Sequence, residues 1–336
     1  MISSLLKKRS WLLMSVGFVC AIALSITAYA VLLDRGVLGH VRSVCLRQQL
    51  PSVCFSLANT LSTKKATTIA TSPDGKLLAS GYGKKILVWN LNTNRRVATL
   101  VGHTGWVSAI RFSPDQTLAS GSLDGTIRLW NLATGKFSSF KAGRITTLAF
   151  SPDGQILAGG SRNSLWFDGQ RGIGGVQLWE LKTEKSLPVL GTDSVGSLAF
   201  SPNGQILAAG SSTTQLWELK TGQLLHNLDS GQVTNLAFNP NGQTLVSGSS
   251  KIKIWNVNTG NLIYLLKSGS SDLALSSDGL MAVASGGMID LWQLETGKFL
   301  GELRGSRYSN QHVTFGFNGQ TMINGSSEGI KIWRSH

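Results

Sequence analysis

The sequence predicts an all-β protein, a seven-bladed β-propeller, and three observations predict it. Tryptophan recurs at Trp89, Trp130, Trp179, Trp217, Trp255, Trp292 and Trp333, in steps of 41, 49, 38, 38, 37 and 41 residues, and a period of that size marks an array of one repeated unit. Each tryptophan follows, by about fifteen residues, a tight turn such as Ser72-Pro73-Asp74-Gly75. Between these landmarks each unit reads as four short strands, which is the make-up of a propeller blade.

The elements of one unit can be justified in order. The first strand is a short apolar run, as in Thr147-Leu148-Ala149-Phe150. The turn follows: Ser151-Pro152-Asp153-Gly154, Ser201-Pro202-Asn203-Gly204 and Asn239-Pro240-Asn241-Gly242 repeat the pattern, with weaker forms at Ser113-Pro114-Asp115-Gln116, Ser276-Ser277-Asp278-Gly279 and Phe317-Asn318-Gly319-Gln320. Proline presets φ at the second position, Asp or Asn tolerates the third, and glycine closes the turn. A second apolar strand comes next, such as Ile156–Gly160, then an alternating third strand that ends in tryptophan, such as Thr126–Trp130. The fourth strand begins after an Asn-Thr-Gly or Lys-Thr-Gly turn, as in Leu224–Leu228.

Turn, strand and tryptophan recurring in that order seven times make residues 55–336 resemble the WD40 repeat family. There are departures: the residues after the seven tryptophans are Asn90, Asn131, Glu180, Glu218, Asn256, Gln293 and Arg334, never Asp. The family's Trp-Ser-His-Asp hydrogen-bond tetrad carries over to one unit only, as Trp130, His103, Asp124 and either Ser120 or Ser122. Elsewhere the resemblance leaves the blades to be held mainly by packing; the hairpin Gly210–Gln215, for example, is too short to hold the Asp.

Closure follows from the ends of the array. The last unit stops at Trp333 with three residues beyond it and so lacks an outer strand, while residues 55–61 precede the first unit and look like an outer strand. They are expected to act as an N-terminal clasp beside residues 328–334, removing the open edge that would otherwise invite aggregation.

The N-terminus is not propeller. Residues 1–10 are a basic tail, and Trp11 to Leu33 is a run of 23 residues without a charge, preceded by Lys7-Lys8-Arg9. As a helix the run would be about 35 Å long at ~1.5 Å per residue, enough to cross a hydrocarbon core of roughly 30 Å. It is expected to be a single transmembrane helix acting as a signal anchor, with Trp11 and Tyr29 near its two interfaces. A signal peptide cleaved after Ala30 is the other reading, because Ala28-Tyr29-Ala30 is a small-x-small site. Lys7-Lys8-Arg9 places the N-terminus in the cytoplasm and the propeller on the extracytoplasmic side; cleavage would leave it secreted or periplasmic. Residues 34–54 form a linker with Val37, Leu38, Val41, Val44 and Cys45 at helical spacing, which suggests an amphipathic helix. Cys45 and Cys54 flank it and could bridge in an oxidising compartment, or remain two buried thiols.

Composition narrows the function. Net charge is +14, of which residues 1–65 contribute +7 and residues 66–336 the other +7, so the propeller itself is mildly basic. Without a dense Lys/Arg cluster or an aromatic platform it offers no nucleic-acid footprint. The five histidines are scattered, no Cys/His pair stands at metal spacing, and Gly172–Gly175 sits in a hairpin rather than between strand and helix, so no metal, phosphate-binding cofactor or catalytic residue is assigned. The chain is read as a non-enzyme with no small-molecule substrate.

The one irregular unit is the third. Residues 161–175 are about ten longer than their equivalents and carry Trp166, Phe167 and Arg171 outside the repeat pattern, a composition suited to a contact site. In the WD40 family this hairpin and the loops that enter each first strand open on one face around a central channel. The resemblance therefore groups Trp106, Arg144, Arg307 and Tyr308, with Lys64 and Lys65, on the same face. The sequence reading is a membrane-anchored protein-interaction scaffold that assembles or stabilises a membrane protein complex through this face. The alternative is an exported propeller with a ligand-binding or catalytic channel.

Overall fold

The computed structural model describes residues 43–45, 54–61, 66–160, 166–167, 170–171, 175–183, 185–191, 194–306, 310–316, 319–326 and 328–335. The chain divides into two compact units, residues 1–44 and 45–336, and the second contains every blade. The basic tail and the apolar run 11–33 lie outside the described residues. Among the described residues no helix is long and apolar enough to cross a membrane.

Seven antiparallel blades carry the fold, six of them sheets of four strands. Blade 1 comprises Ile69–Thr71, Leu77–Tyr82, Lys85–Asn90 and Arg95–Val101; blade 2 comprises Val107–Phe112, Leu118–Ser122, Thr126–Trp130 and Phe137–Lys141. Blades 3 to 6 repeat the plan, beginning at Thr147, Ser197, Asn235 and Asp272. Blade 7 takes Asn310–Phe315, Thr321–Ser326 and Gly329–Ser335, and its outer strand is Cys54–Leu61 from the other end of the propeller. Phe55 pairs with Ser335, Leu57 with Trp333 and Leu61 with Ile330, so the ring is closed by the expected clasp. The strand begins one residue earlier than the sequence suggests, at Cys54.

Two details of the linker and of blade 3 depart from the sequence reading. Ser43–Cys45, placed in a helical stripe by the spacing of its apolar residues, is a short strand; β-branched Val44 suits extended backbone as well as it suits that stripe. The long insertion of blade 3, read as a loop, contains a two-stranded hairpin of its own, in which Trp166 pairs with Arg171 and Phe167 with Gln170.

The core lies between blades rather than within them. Trp130 of blade 2 clusters with Ile86, Val88 and Leu100 of blade 1. Trp179 clusters with Ala109, Ala119 and Ile127 of blade 2, and Trp217 with Val176, Leu178 and Leu190 of blade 3. Trp89 packs on Ile323, Ile330 and Ile332 of blade 7, which carries the same arrangement across the closure. The tryptophan period is thus the period of the gaps between blades. Second strands such as Leu118–Ser122 are buried along their whole length because they have neighbours on both edges and a blade on each face. That explains their small apolar composition.

Glycine at the tight turns has a conformational cause. Gly75, Gly154, Gly204, Gly242, Gly279 and Gly319 take φ between +68° and +87°, where a Cβ is disfavoured, yet the blade 2 turn places Gln116 at φ +71°. Left-handed backbone costs a non-glycine residue about 1–2 kcal/mol, and glycine's extra freedom in the unfolded chain returns about half of that. Gln116→Gly is therefore expected to stabilise the propeller by about 0.5–1 kcal/mol, measured as an upward shift of the denaturation midpoint; an unchanged or lower midpoint would contradict it.

Candidate functional site

One blade is built differently from the rest. In blade 2 the Trp130 indole N–H donates to Ser120 Oγ at 2.7 Å, Ser120 lies 2.7 Å from His103 Nε2, and His103 Nδ1 lies 2.8 Å from Asp124 Oδ2. The indole can only donate, so the Ser120 hydroxyl donates to Nε2 and His103 carries its proton on Nδ1. Asp124 also accepts from the Thr104 N–H at 2.9 Å, the Thr126 N–H at 3.0 Å and the Thr126 hydroxyl at 2.7 Å. Of the two serines the sequence left open, Ser120 joins the chain, while Ser122 accepts from the Asp124 N–H. His103 sits edge-on to Trp130, and Phe137 closes the other side at 4.8 Å between ring centroids.

The electrostatics of this chain have one sign. Burial pushes His103 below the ordinary histidine range, and Asp124 opposes it only in part. Burial acts against the Asp124 carboxylate as well, but hydrogen bonds from Thr126, His103 and the Thr104 N–H outweigh it and hold the group well below the usual carboxylate range. The folded state therefore favours neutral His103 and ionised Asp124. Their stabilisation is present above the unfolded pKa values, about 6.5 for His and about 3.9 for Asp, and is lost as pH falls through the lower folded values. Asp124→Ala is expected to cost roughly 2–4 kcal/mol at neutral pH and to flatten the loss of stability in acid. Urea titrations of both proteins from pH 5 to pH 2, where the Asp124 contribution is lost, test this; parallel curves would refute it.

In other blades the register explains the missing tetrad. The position of Ser120 is taken by Gly159, Ala209, Val283 and Asn324 in blades 3, 4, 6 and 7, so the acceptor for the indole is lost. The indole N–H groups of Trp217, Trp292 and Trp333 are buried without a partner among the described residues, and so is that of Trp89, although blade 1 keeps Ser80 at the serine position, where its hydroxyl is turned to Leu87 O. Blade 5 keeps half of the device, with Trp255 donating to Ser247 at 2.8 Å.

The tetrad stands beneath an exposed patch. Trp106 is 59% exposed, and its carbonyl accepts from the N–H of Leu123, itself 45% exposed. The N–H of Val107 next to Trp106 donates to Gly83, beside Tyr82, which is 47% exposed. Tyr82, Trp106 and Leu123 thus come from three loops on one face, tied together by backbone hydrogen bonds. The exposed Arg144 follows in the loop that Ala142 anchors to Gly125 of the same hairpin. Of the predicted face residues, Trp106 and Arg144 are both exposed, on loops that hydrogen-bond to the hairpin around Leu123–Gly125. Trp166, Phe167 and Arg171 have described backbone but no described side chains, and Arg307, Tyr308, Lys64 and Lys65 lie outside the described residues. Tyr82 and Leu123 were missed: each stands in a two-stranded hairpin whose tip residues look like ordinary turn residues.

The first strands of all seven blades line a central channel of about 510 Å³. They are latched in sequence around it. Thr67 donates to Val107 O at 2.9 Å, Ser108 to Ile145 O, Thr146 to Val195 O at 3.5 Å and Thr234 to Ser270 O at 3.3 Å, each reaching the next blade. At the corresponding place in blade 4 a Cβ on Gly196 would meet Val233 O at 2.4 Å, so only glycine fits. Between blades 7 and 1, His312 Nε2 donates to Thr67 O at 2.8 Å and Thr71 Oγ1 to Phe315 O at 3.0 Å. Asp272 is held from several sides, by Asn235, by the N–H groups of Leu273 and Val313, and by His312 Nδ1 at 3.4 Å. The ladder register sets Arg111 level with Ala70, Ala149, Ala199, Ala237, Ala274 and Thr314. Among the described residues no group of His, Cys, Asp and Glu is arranged to hold a metal ion.

Cys54, at the start of the clasp, is disulfide-bonded. The side chain of Cys45, its expected partner, lies outside the described residues.

The family model for the WD domain, G-beta repeat, matches residues 55–90, 94–131, 134–166, 184–218 and 222–256, just over half of the chain. Each matched segment before the insertion runs from an outer strand to a tryptophan strand, so the sequence repeat is offset from the structural blade by one strand. Similar proteins include the small ribosomal subunit protein RACK1 of Caenorhabditis elegans, 31% identical over 142 residues, 40% of each chain. A WD repeat-containing protein of Synechocystis is 41% identical over 97 residues, 27% of this chain and 28% of its own. Pre-mRNA-processing factor 19 homolog 2 of Arabidopsis thaliana is 32% identical over 93 residues, 27% of this chain and 18% of its own. The chain spans well under two thirds of the length of these relatives. With the repeat matched over residues 55–256 and seven tryptophan-bearing blades in one closed ring, the chain belongs to the WD40 repeat family.

Proposed function

We propose that this protein is a protein-interaction scaffold, anchored in a membrane by residues 11–33, that assembles or stabilises a membrane protein complex through the face bearing Trp106. The observation that carries the reading is the cluster of Tyr82, Trp106 and Leu123, three large apolar side chains left exposed on loops of a rigid ring. Aromatic residues held on rigid loops lose little entropy on binding and are the residue types that dominate protein interfaces. The exposed Arg144, on a loop tied to the same hairpin as Leu123, gives the surface a mixed aromatic and basic character suited to an acidic or apolar partner. Two relatives carry names that tie them to a ribosomal subunit and to pre-mRNA processing, which agrees with a scaffold role and leaves this chain's own partner open. The uncharged run 11–33 supports the anchor, and the Cys54 disulfide supports a propeller on the extracytoplasmic, oxidising side.

The test is co-purification from gently solubilised membranes. Trp106→Ala and Trp166→Ala are expected to leave the melting transition unmoved and to weaken partner capture by about thirtyfold, the effect of a hot-spot residue worth about 2 kcal/mol. Undiminished capture by both variants would defeat the assignment of this face. The mass of the mature N-terminus tests the anchor separately, since a start at Val31 would mean that the apolar run is removed.

A further inference from the structure

We infer that the central channel is a binding site for a small oxyanion, a carboxylate or a phosphate, gripped by Arg111. At Arg111's level the other six blades carry alanine or threonine, so one guanidinium projects into a bore otherwise walled by small side chains. Arg111 lines the channel and keeps solvent-accessible surface there. Desolvation by the channel wall pushes its pKa below that of an ordinary arginine, with Asp272 opposing the shift.

A guanidinium has five N–H donors, and those of Arg111 are exposed to whatever fills the channel. Arg111 donates one bond, from Nη1 to Ile110 O at 2.8 Å. Among the described residues it makes no ion pair. The carboxylate whose field it feels, Asp272, is already occupied by Asn235, two backbone N–H groups and His312. The free edge of the Arg111 fork is therefore matched to two oxygens of a planar or tetrahedral anion, which a guanidinium binds through parallel N–H bonds.

The rest of the wall suits the same guest. Hydroxyls of Thr68, Thr147 and Ser197 line the cavity, and the Asn235 carbonyl oxygen there is buried without a donor among the described residues, a place for an O–H or N–H carried by the ligand. About 510 Å³ is roomy for a few heavy atoms and their water. The site lies on the axis of the ring, built from first strands, and does not depend on the partner-binding face.

Calorimetric titration of the full detergent-solubilised chain tests it, using inorganic phosphate and succinate as probes at fixed ionic strength. Saturable one-to-one binding of either probe is expected, with phosphate and succinate separating the two anion classes. Arg111→Gln should weaken it by at least about tenfold, and Arg111→Lys should recover only part of the loss because the charge returns without the fork. The bound probe should raise the melting temperature of the wild type and leave that of Arg111→Gln unmoved, which reads the site independently of heat signals. In anion-free buffer Arg111→Gln should melt close to wild type, since the exposed side chain makes one hydrogen bond, to the carbonyl of its own neighbour Ile110. Failure of both probes to bind saturably, or equal binding by Arg111→Gln, would overturn the proposal. Partner capture by Arg111→Gln should be unchanged, so failure here and failure of the scaffold reading are told apart.

Discussion

Trp255→Ala is expected to destabilise the propeller by about 3–5 kcal/mol, the cost of emptying a large aromatic site in a packed core. Trp255 is 5% exposed and fills the gap between blades 5 and 4, against Ala208, Leu216, Leu228, Val233 and Leu236. Ala208 and Leu216 sit on strands paired on both edges, so that wall has little freedom to collapse into the void. Removing the indole also orphans the Ser247 hydroxyl that accepts its N–H. Urea denaturation measures the effect directly. Trp106→Ala is the matched control: its side chain is exposed, and its removal should move the midpoint by no more than about 0.5 kcal/mol. If Trp106→Ala proved the more damaging of the two, the division between structural and interaction tryptophans would be wrong.

The second large effect concerns closure. Phe55 and Leu61 are the buried anchors of the clasp strand, at 0% and 4% exposure, and lie at opposite ends of its pairing with Gly329–Ser335. Replacing both with alanine is expected to cost on the order of 5 kcal/mol or more, since each site alone is worth about 2–5 kcal/mol and the two share no contact in the ladder. The loss should be local before it is global. Limited proteolysis should cut between residues 54 and 66 first, and the exposed edge of the Gly329–Ser335 strand should drive self-association visible in gel filtration. A double variant with wild-type midpoint and wild-type protease resistance would mean that the ring does not need its clasp.

Much of this architecture was legible in the sequence because its causes are local and repeated. The tryptophans mark gaps between blades and recur seven times; the turn glycines mark left-handed backbone and recur six times, with Gln116 at the seventh turn. The clasp was legible because a repeat that starts one strand early must leave a spare strand at one end and a vacancy at the other. What escaped notice has non-local causes. Thr67, Ser108, Thr146 and Thr234 read as ordinary strand residues, and their role as latches depends on the carbonyl of the following blade being within reach. Arg111 reads as the polar member of an alternating strand; that it lines a central channel rather than the outer surface is a property of the closed ring. Tyr82 and Leu123 became a patch only when three loops were tied together by backbone hydrogen bonds.

The shared blade also sets the order in which the molecule can form. Contacts that join its two ends, such as Thr71 with Phe315 and Arg334 with Leu91, link residues 244 and 243 positions apart. Blades 1 to 6 use neighbouring sequence and can assemble as they emerge, but blade 7 must wait for the last strand to meet one of the first. Ring closure is then the slow step, governed by loop entropy rather than by local propensity. Until it occurs, the growing chain carries a half-made blade at each end, and any factor that holds residues 54–61 apart from residues 329–335 would hold the whole protein short of its native state.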